Sequence, residues 1–159
     1  MPATAEDRAA VRALLGREPT ADFDIVVRDA HGAPVVIRNA PFTRDRTPMP
    51  TRYWLVHADW NRAVSRLEAA GGVRAAEQEV DPGALGRAHE AYAAERDAEV
   101  PPDWAGPRPR AGVGGTRAGV KCLHAHVAWH LAGGDDPVGA WALARIDPAL
   151  VAGVRGAAP

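Results

Sequence analysis

Cysteine and lysine are almost absent from this sequence, which has a single cysteine, Cys122, and a single lysine, Lys121. One cysteine excludes an intramolecular disulfide, so Cys122 is either a free thiol or a ligand. No apolar run approaches the roughly 20 residues that span a bilayer, and the acidic, polar N-terminus is unlike a signal peptide. The net charge of −1 gives no bulk electrostatic preference for nucleic acid or an anionic membrane. These absences predict a cytoplasmic protein without membrane or nucleic-acid partners.

The composition that remains is that of a soluble globular protein. Hydrophobic residues make up 47% of the 159 residues and charged residues 25%. This length suits one domain, which we place at residues 1–150, followed by a frayed C-terminal tail at 151–159. Strand patterns come first and helix patterns later, which favours the α+β class over an alternating α/β fold. We expect a small antiparallel sheet of about three strands packed against four to five helices.

Local patterns place the elements. β-branched runs predict strands at 23–28, 35–37 and 53–56, with a turn between the first two. Capping residues and apolar periodicity predict helices that end at Gly16 and that cover 59–70, 81–99, 116–132 and 136–146. The stretches 41–51 and 100–115 are rich in proline and predict loops.

The helix predicted at 116–132 carries an unusual set of polar side chains. Cys122, His126 and His130 fall on one broad stripe, and His124 points elsewhere. Residues four apart lie about 6 Å apart along a helix, so either neighbouring pair could share an ion. Residues eight apart lie about 12 Å apart, so all three cannot. A zinc site would need ligands from elsewhere, and the alternative is that each side chain is satisfied within the core.

The glycine-rich entry to this helix is a separate signal. Arg117 and Lys121 lie near the predicted N-terminus, where cations oppose the helix dipole unless an anion or an acidic side chain offsets them. This tension favours an anion site for phosphate or carboxylate, and the alternative is a flexible loop with a solvated arginine. The pattern GVGGTRAGVK does not have the spacing of a P-loop.

A nucleophilic role for Cys122 is a third interpretation. A thiol near a helix N-terminus, beside Lys121 and within reach of His126, could have a lowered pKa and act with that histidine in catalysis. The surrounding sequence has no recognisable protease or phosphatase motif.

At this point the chain resembles a known family, the DUF501 proteins, which are bacterial domains of unknown function. The resemblance runs from Leu15 to about Gly139, through the stretches GREPTADFDIVVR, GAPVVIRNAP, TPMPTRYWLV, VSRLEAAGG, YAAERD and GVKCLHAHVAWHLAGGDDPVG. The blocks PTRYWL and VKCLH are the most specific. The resemblance implies no established activity.

The resemblance does imply further ligand positions. Many members of the family have a cysteine at the first turn and another after the third strand, where this chain has Asp29 and His57. Both residue types bind metals, so the resemblance implies that the ligand type is exchanged and the site is kept. The ligands of one zinc or iron ion would then be Asp29, His57, Cys122 and either His126 or His124. The opposite interpretation is that Asp29 only shapes a turn and that the site is absent.

Three classes of function remain open. The first is a metal-binding domain with an anion pocket at the glycine-rich loop. The second is a non-catalytic domain that regulates or binds a protein partner. The third is a hydrolase or transferase acting on a phosphorylated small molecule. It requires the cations to converge around Cys122, and these are Arg44, Arg46, Arg52, Arg117 and Lys121.

Overall fold

The computed structural model describes the backbone of residues 2–156 and the side chains of residues 2–154, and it confirms the α+β class. All strand pairs in this part of the chain are antiparallel, and they form one four-stranded sheet in the order β3-β2-β1-β4. The strands are β1 (Ala21–Asp29), β2 (Pro34–Thr43), β3 (Tyr53–Leu55) and β4 (Val154–Gly156). The strand β3 therefore lies at one edge of the sheet.

Seven α-helices occur within residues 2–156. The predicted starts at Asp81-Pro82 and Asp136-Pro137 are confirmed, because each aspartate caps a helix whose first residue is the proline. The helices are α1 (Ala5–Leu15), α2 (Ala58–Ala69), α3 (Gly72–Glu79), α4 (Pro82–Asp97), α5 (Leu123–Leu131), α6 (Pro137–Leu143) and α7 (Pro148–Ala152), with a 3-10 turn at Val113–Gly115.

The antiparallel sheet of about three strands is confirmed by β1, β2 and β3, to which the short β4 adds a fourth, whereas the expected four to five helices are fewer than the seven observed in residues 2–156. Gly71-Gly72 was interpreted as a stop, but Gly71 has a φ of 87° and turns the chain directly into α3. The short strand β4 pairs with Val27–Asp29 in β1, and three residues carry too little pattern to predict it. The expected frayed tail at 151–159 therefore includes the end of α7 and β4, and residues 157–159 lie outside the described residues. The boundary of the single domain stays a prediction.

The helix predicted to carry Cys122 begins later than expected, at Leu123, so Cys122 and not Thr116 is its N-cap residue. The hydroxyl of Thr116 donates to the carbonyl of Ala118, so it closes a local turn instead of capping the helix. Gly119 has a φ of 67°, which an L side chain rarely adopts, and it turns the chain before α5. Arg117 and Lys121 thus precede the helix and do not lie in its first turn.

The sheet has helices on both faces. The larger core lies between one face and the helices α2 to α6, and it includes Leu55, Leu123 and Trp129. The smaller core lies under α1 on the opposite face and consists of Val11, Phe23, Ile37 and Val56, with Leu15 and Trp54 packed against it. Within residues 2–156, the structure contains no helix with both the length and the apolar character needed to cross a membrane.

Candidate functional site

The N-terminus of α5 is capped by a side chain from α2. The amide of Leu123, the first residue of α5, donates to Glu68 Oε1 over 2.7 Å, and the amide of Val120 donates to Glu77 Oε1 over 3.0 Å. Carboxylates of the chain itself therefore occupy the place predicted for an external anion. They also offset the positive end of the helix dipole beside Lys121.

The same carboxylate holds the imidazole of His124. His124 Nδ1 lies 3.1 Å from Glu68 Oε1, and His124 Nε2 lies 3.2 Å from the hydroxyl of Ser65. A carboxylate can only accept, so Nδ1 carries a proton and donates it to Glu68. Both ring nitrogens of His124 are thus engaged with α2.

A cavity of about 400 Å³ lies at the open edge of β3 and against the first turn of α5. We call it the β3–α5 cavity, and Cys122 and His124 both line it. Its remaining lining comes from α1, β3 and the loop before it, α2, the 3-10 turn and α5, and comprises Leu15, Thr51, Tyr53, Trp54, Leu55, Asn61, Gly114 and Ala125. The cavity therefore joins aromatic and aliphatic walls to a few polar groups.

The thiol of Cys122 is not activated in this setting. Burial raises the pKa of Cys122 above its ordinary value, and the charge of Glu68 raises it further. The amides of Ala125 and His124 and the charge of Lys121 act in the opposite direction without reversing the shift. The sequence prediction of a lowered pKa is therefore wrong, because burial and a carboxylate outweigh the helix N-terminus.

His126, the predicted catalytic partner of Cys122, is committed to a different residue. Its side chain is fully buried, and its Nδ1 lies 2.7 Å from Asp136 Oδ2. Asp136 Oδ1 meanwhile accepts from the amides of Val138 and Gly139 and so caps α6. His126 Nε2 has no hydrogen-bond partner among the described residues. The structure therefore pairs His126 with Asp136, which the sequence had suggested only as a helix cap.

Asp29 and His57 are neighbours, as the family pattern implied. Asp29 Oδ2 lies 3.4 Å from His57 Nε2. Asp29 Oδ1 also accepts from the amides of His31 and Ala33, and His57 Nδ1 accepts from the amide of Asp59 at the start of α2. Burial raises the pKa of Asp29, but the two backbone amides and His57 lower it more, so the net direction is down.

The five predicted metal ligands do not form one set. Asp29 contacts His57, Cys122 shares a cavity with His124, and His126 is bonded to Asp136. No group of three or more histidine, cysteine, aspartate or glutamate side chains in the described part of the chain could hold a metal ion. His57 Nδ1 accepts a hydrogen bond, so Nε2 carries the proton and offers no lone pair. The donors in this arrangement do not fit a four-ligand zinc or iron site.

The predicted anion-binding cations do not converge either. Arg52 is 5% exposed and pairs with Glu95 over 3.2 Å, and Arg44 donates to the carbonyl of Pro19. Three separate cavities are lined by these arginines: one by Arg52, one by Arg44 and Arg46, and one by Arg117. Cys122 lines none of these three cavities. Lys121 is exposed. The arrangement needed for a phosphoryl hydrolase or transferase is therefore not assembled around the thiol.

Comparison with known proteins places the chain in a family. The model of DUF501, described as a protein of unknown function, matches residues 25–144. Because that match covers more than half of the sequence, the chain belongs to the DUF501 family, and the resemblance in the sequence is confirmed. No curated protein and no solved structure shows a significant match.

Proposed function

We propose that this chain is a non-catalytic ligand-binding domain and that its ligand site is the β3–α5 cavity. The observation that carries this proposal is the cavity itself, where a thiol and an imidazole meet aromatic and aliphatic walls. Its volume of about 400 Å³ lies within the range of sites that bind small molecules.

The lining favours a neutral, largely apolar ligand. Leu15, Leu55, Ala125 and the rings of Tyr53 and Trp54 provide apolar surface. The polar groups are Thr51, Asn61, Cys122 and His124, and among the described side chains no arginine, lysine, aspartate or glutamate lines the cavity. An anion would therefore enter without a cationic partner, and its desolvation would not be offset.

The state of the two reactive side chains supports binding rather than catalysis. Burial holds the Cys122 thiol in its protonated form near neutral pH. Glu68 and Ser65 engage both nitrogens of His124, so this imidazole is held as part of the wall and is not free to take the thiol proton.

The single cysteine makes the test direct, because a thiol reagent can label only Cys122. We expect saturating indole or p-cresol to slow alkylation of Cys122 by N-ethylmaleimide, and inorganic phosphate to leave the rate unchanged. Ala125→Leu should abolish the protection by filling the cavity, whereas Ala125→Ser keeps the space and should retain it. Protection by phosphate alone, or no protection by any neutral probe, would overturn the proposal.

A zinc or iron site and an anion pocket are the second candidate, and both stay predictions, as does a cytoplasmic location. One contact supports the metal: two of the five expected ligands, Asp29 at the end of β1 and His57 at the N-cap of α2, lie 3.4 Å apart. To complete a metal site with Asp29 and His57, Cys122 or His126 would have to move toward them.

A further inference from the structure

The pairing of β3 with β2 fixes which backbone groups of β3 face the open edge of the sheet. The amide of Val56 donates to Val35, and Arg52 accepts from the amide of Asn39. Trp54 lies between these two bonds, opposite Ile37. Peptide groups alternate sides along a strand, so the amide and carbonyl of Trp54 face β2, while the carbonyl of Tyr53 and the amide of Leu55 face away.

A side-chain contact supports this direction independently. Asn61 Nδ2 in α2 donates to the carbonyl of Leu55 over 3.0 Å, which is possible only if that carbonyl points away from β2. The amide of Leu55 and the carbonyl of Tyr53 face the same edge. Neither group has a hydrogen bond within residues 2–156.

These two groups are costly to leave unpaired. As whole residues, Tyr53 and Leu55 are only 5% and 8% exposed, so both lie largely inside the fold. A buried backbone group without a partner costs about as much free energy as a lost hydrogen bond. Both residues line the β3–α5 cavity, so its occupant can supply the missing partners.

The spacing of the two groups defines the partner. The carbonyl of Tyr53 and the amide of Leu55 flank Trp54, and this is the arrangement that binds one residue of a parallel strand through its own N–H and C=O. We infer that the ligand of the β3–α5 cavity is a small neutral secondary amide resembling one acylated, amidated amino-acid residue. Its N–H donates to Tyr53, its carbonyl accepts from Leu55, and its apolar substituent lies among the cavity walls.

The uncharged lining favours a compound whose amino and carboxyl groups are both converted to neutral amides. A free carboxylate would meet the Asn61 amide and the engaged His124, with no cation to neutralise it. N-acetyl-L-leucine N′-methylamide should therefore bind at least tenfold more tightly than N-acetyl-L-leucine.

This inference rests on the proposed function, and its test separates the two. The probe is N-acetyl-L-leucine N′-methylamide, and its matched control is the ester analogue in which oxygen replaces the leucine N–H. We expect the amide to protect Cys122 from N-ethylmaleimide and to bind about five- to tenfold more tightly than the ester, because the ester cannot donate to Tyr53. The amide should also shift the ¹⁵N–¹H resonance of Leu55 in the native protein, and not in Ala125→Leu.

Two results would contradict the inference. If the amide and the ester bind equally, or if the Leu55 resonance does not move, the amide class is wrong, while protection by indole would leave the binding site standing. If neither the amides nor the neutral aromatic probes protect Cys122, both proposals are wrong.

Discussion

Removing the carboxylate of Asp136 should destabilise the fold more than removing any other aspartate cap. Asp136 accepts three hydrogen bonds, from the amides of Val138 and Gly139 and from His126 Nδ1. Its side chain and that of His126 are both fully buried. Asp136→Ala leaves two amides and one ring nitrogen without partners in the core.

The magnitude follows from these contacts. Loss of an N-cap costs about 1 kcal/mol, and breaking a buried, hydrogen-bonded pair costs about 3 to 5 kcal/mol. We expect Asp136→Ala to lower the free energy of unfolding by about 3 to 5 kcal/mol, a large share of the typical 5 to 15 kcal/mol. Asp136→Asn keeps an oxygen for the two amides, and its NH₂ group can donate to His126 Nδ1 if the ring changes tautomer. Its cost should be about 1 to 2 kcal/mol.

Urea denaturation at pH 7 measures these differences, and a nearly constant m-value would show that the denatured state is unchanged. The matched control is Asp81→Ala, because Asp81 also precedes a proline and caps a helix, but it is exposed and has no histidine partner. It should cost only about 1 kcal/mol. Equal losses for Asp136→Ala and Asp81→Ala would refute the reasoning, since the buried pair would then add nothing to the cap.

Three further predictions concern the pKa of Asp29, the pKa of Cys122 and the metal content of the purified protein. The lowered pKa of Asp29 means that its contribution to stability is present above the unfolded-state pKa and is lost as the pH falls through the folded-state pKa. Asp29→Ala should therefore reduce stability at pH 7, and the difference from the native chain should shrink below pH 3.8 in acid titrations; a constant difference would contradict this. The rate of Cys122 alkylation should still rise above pH 9.0 and have a lower midpoint in Glu68→Gln; a plateau near pH 8 would disprove the raised pKa. Elemental analysis of protein purified without chelators should find well below one equivalent of zinc or iron, whereas one equivalent that Cys122→Ala loses would restore the metal site.

Elements with strong local signals were predictable from the sequence. The helix that ends at Gly16, the Asp-Pro starts of α4 and α6, and the β-branched run of β1 all appear in the structure. The capping hydrogen bonds at these helix starts join residues that are close in the sequence, so a short stretch of sequence is enough to predict them. The helix α3 escaped prediction because Gly71 in the left-handed region is compatible both with a stop and with an immediate restart.

The partners of the site residues could not be predicted in the same way, because they lie far away in the sequence. Glu68 is 55 residues before Leu123, and its carboxylate reaches α5 only after α2 packs against that helix. The conflict between Lys121 and the helix dipole indicated that negative charge was needed, and the sequence left open whether an external anion or an acidic side chain supplied it. The fold supplies the side chain.

The capping of α5 by Glu68 also changes which site we propose. Because Glu68 neutralises the start of α5 and fixes His124, the thiol of Cys122 faces an uncharged cavity instead of an anion pocket. Within the described part of the chain, the carbonyl of Tyr53 and the amide of Leu55 at this cavity have no hydrogen-bond partner, and no side-chain motif could reveal these backbone groups. Binding specificity at such an edge depends on which residues of the strand turn their amide and carbonyl groups outward. The register of β3 against β2 decides this. A one-residue slip of β3 would turn the peptide groups of Trp54 outward instead and would remove the donor and acceptor that the proposed amide requires.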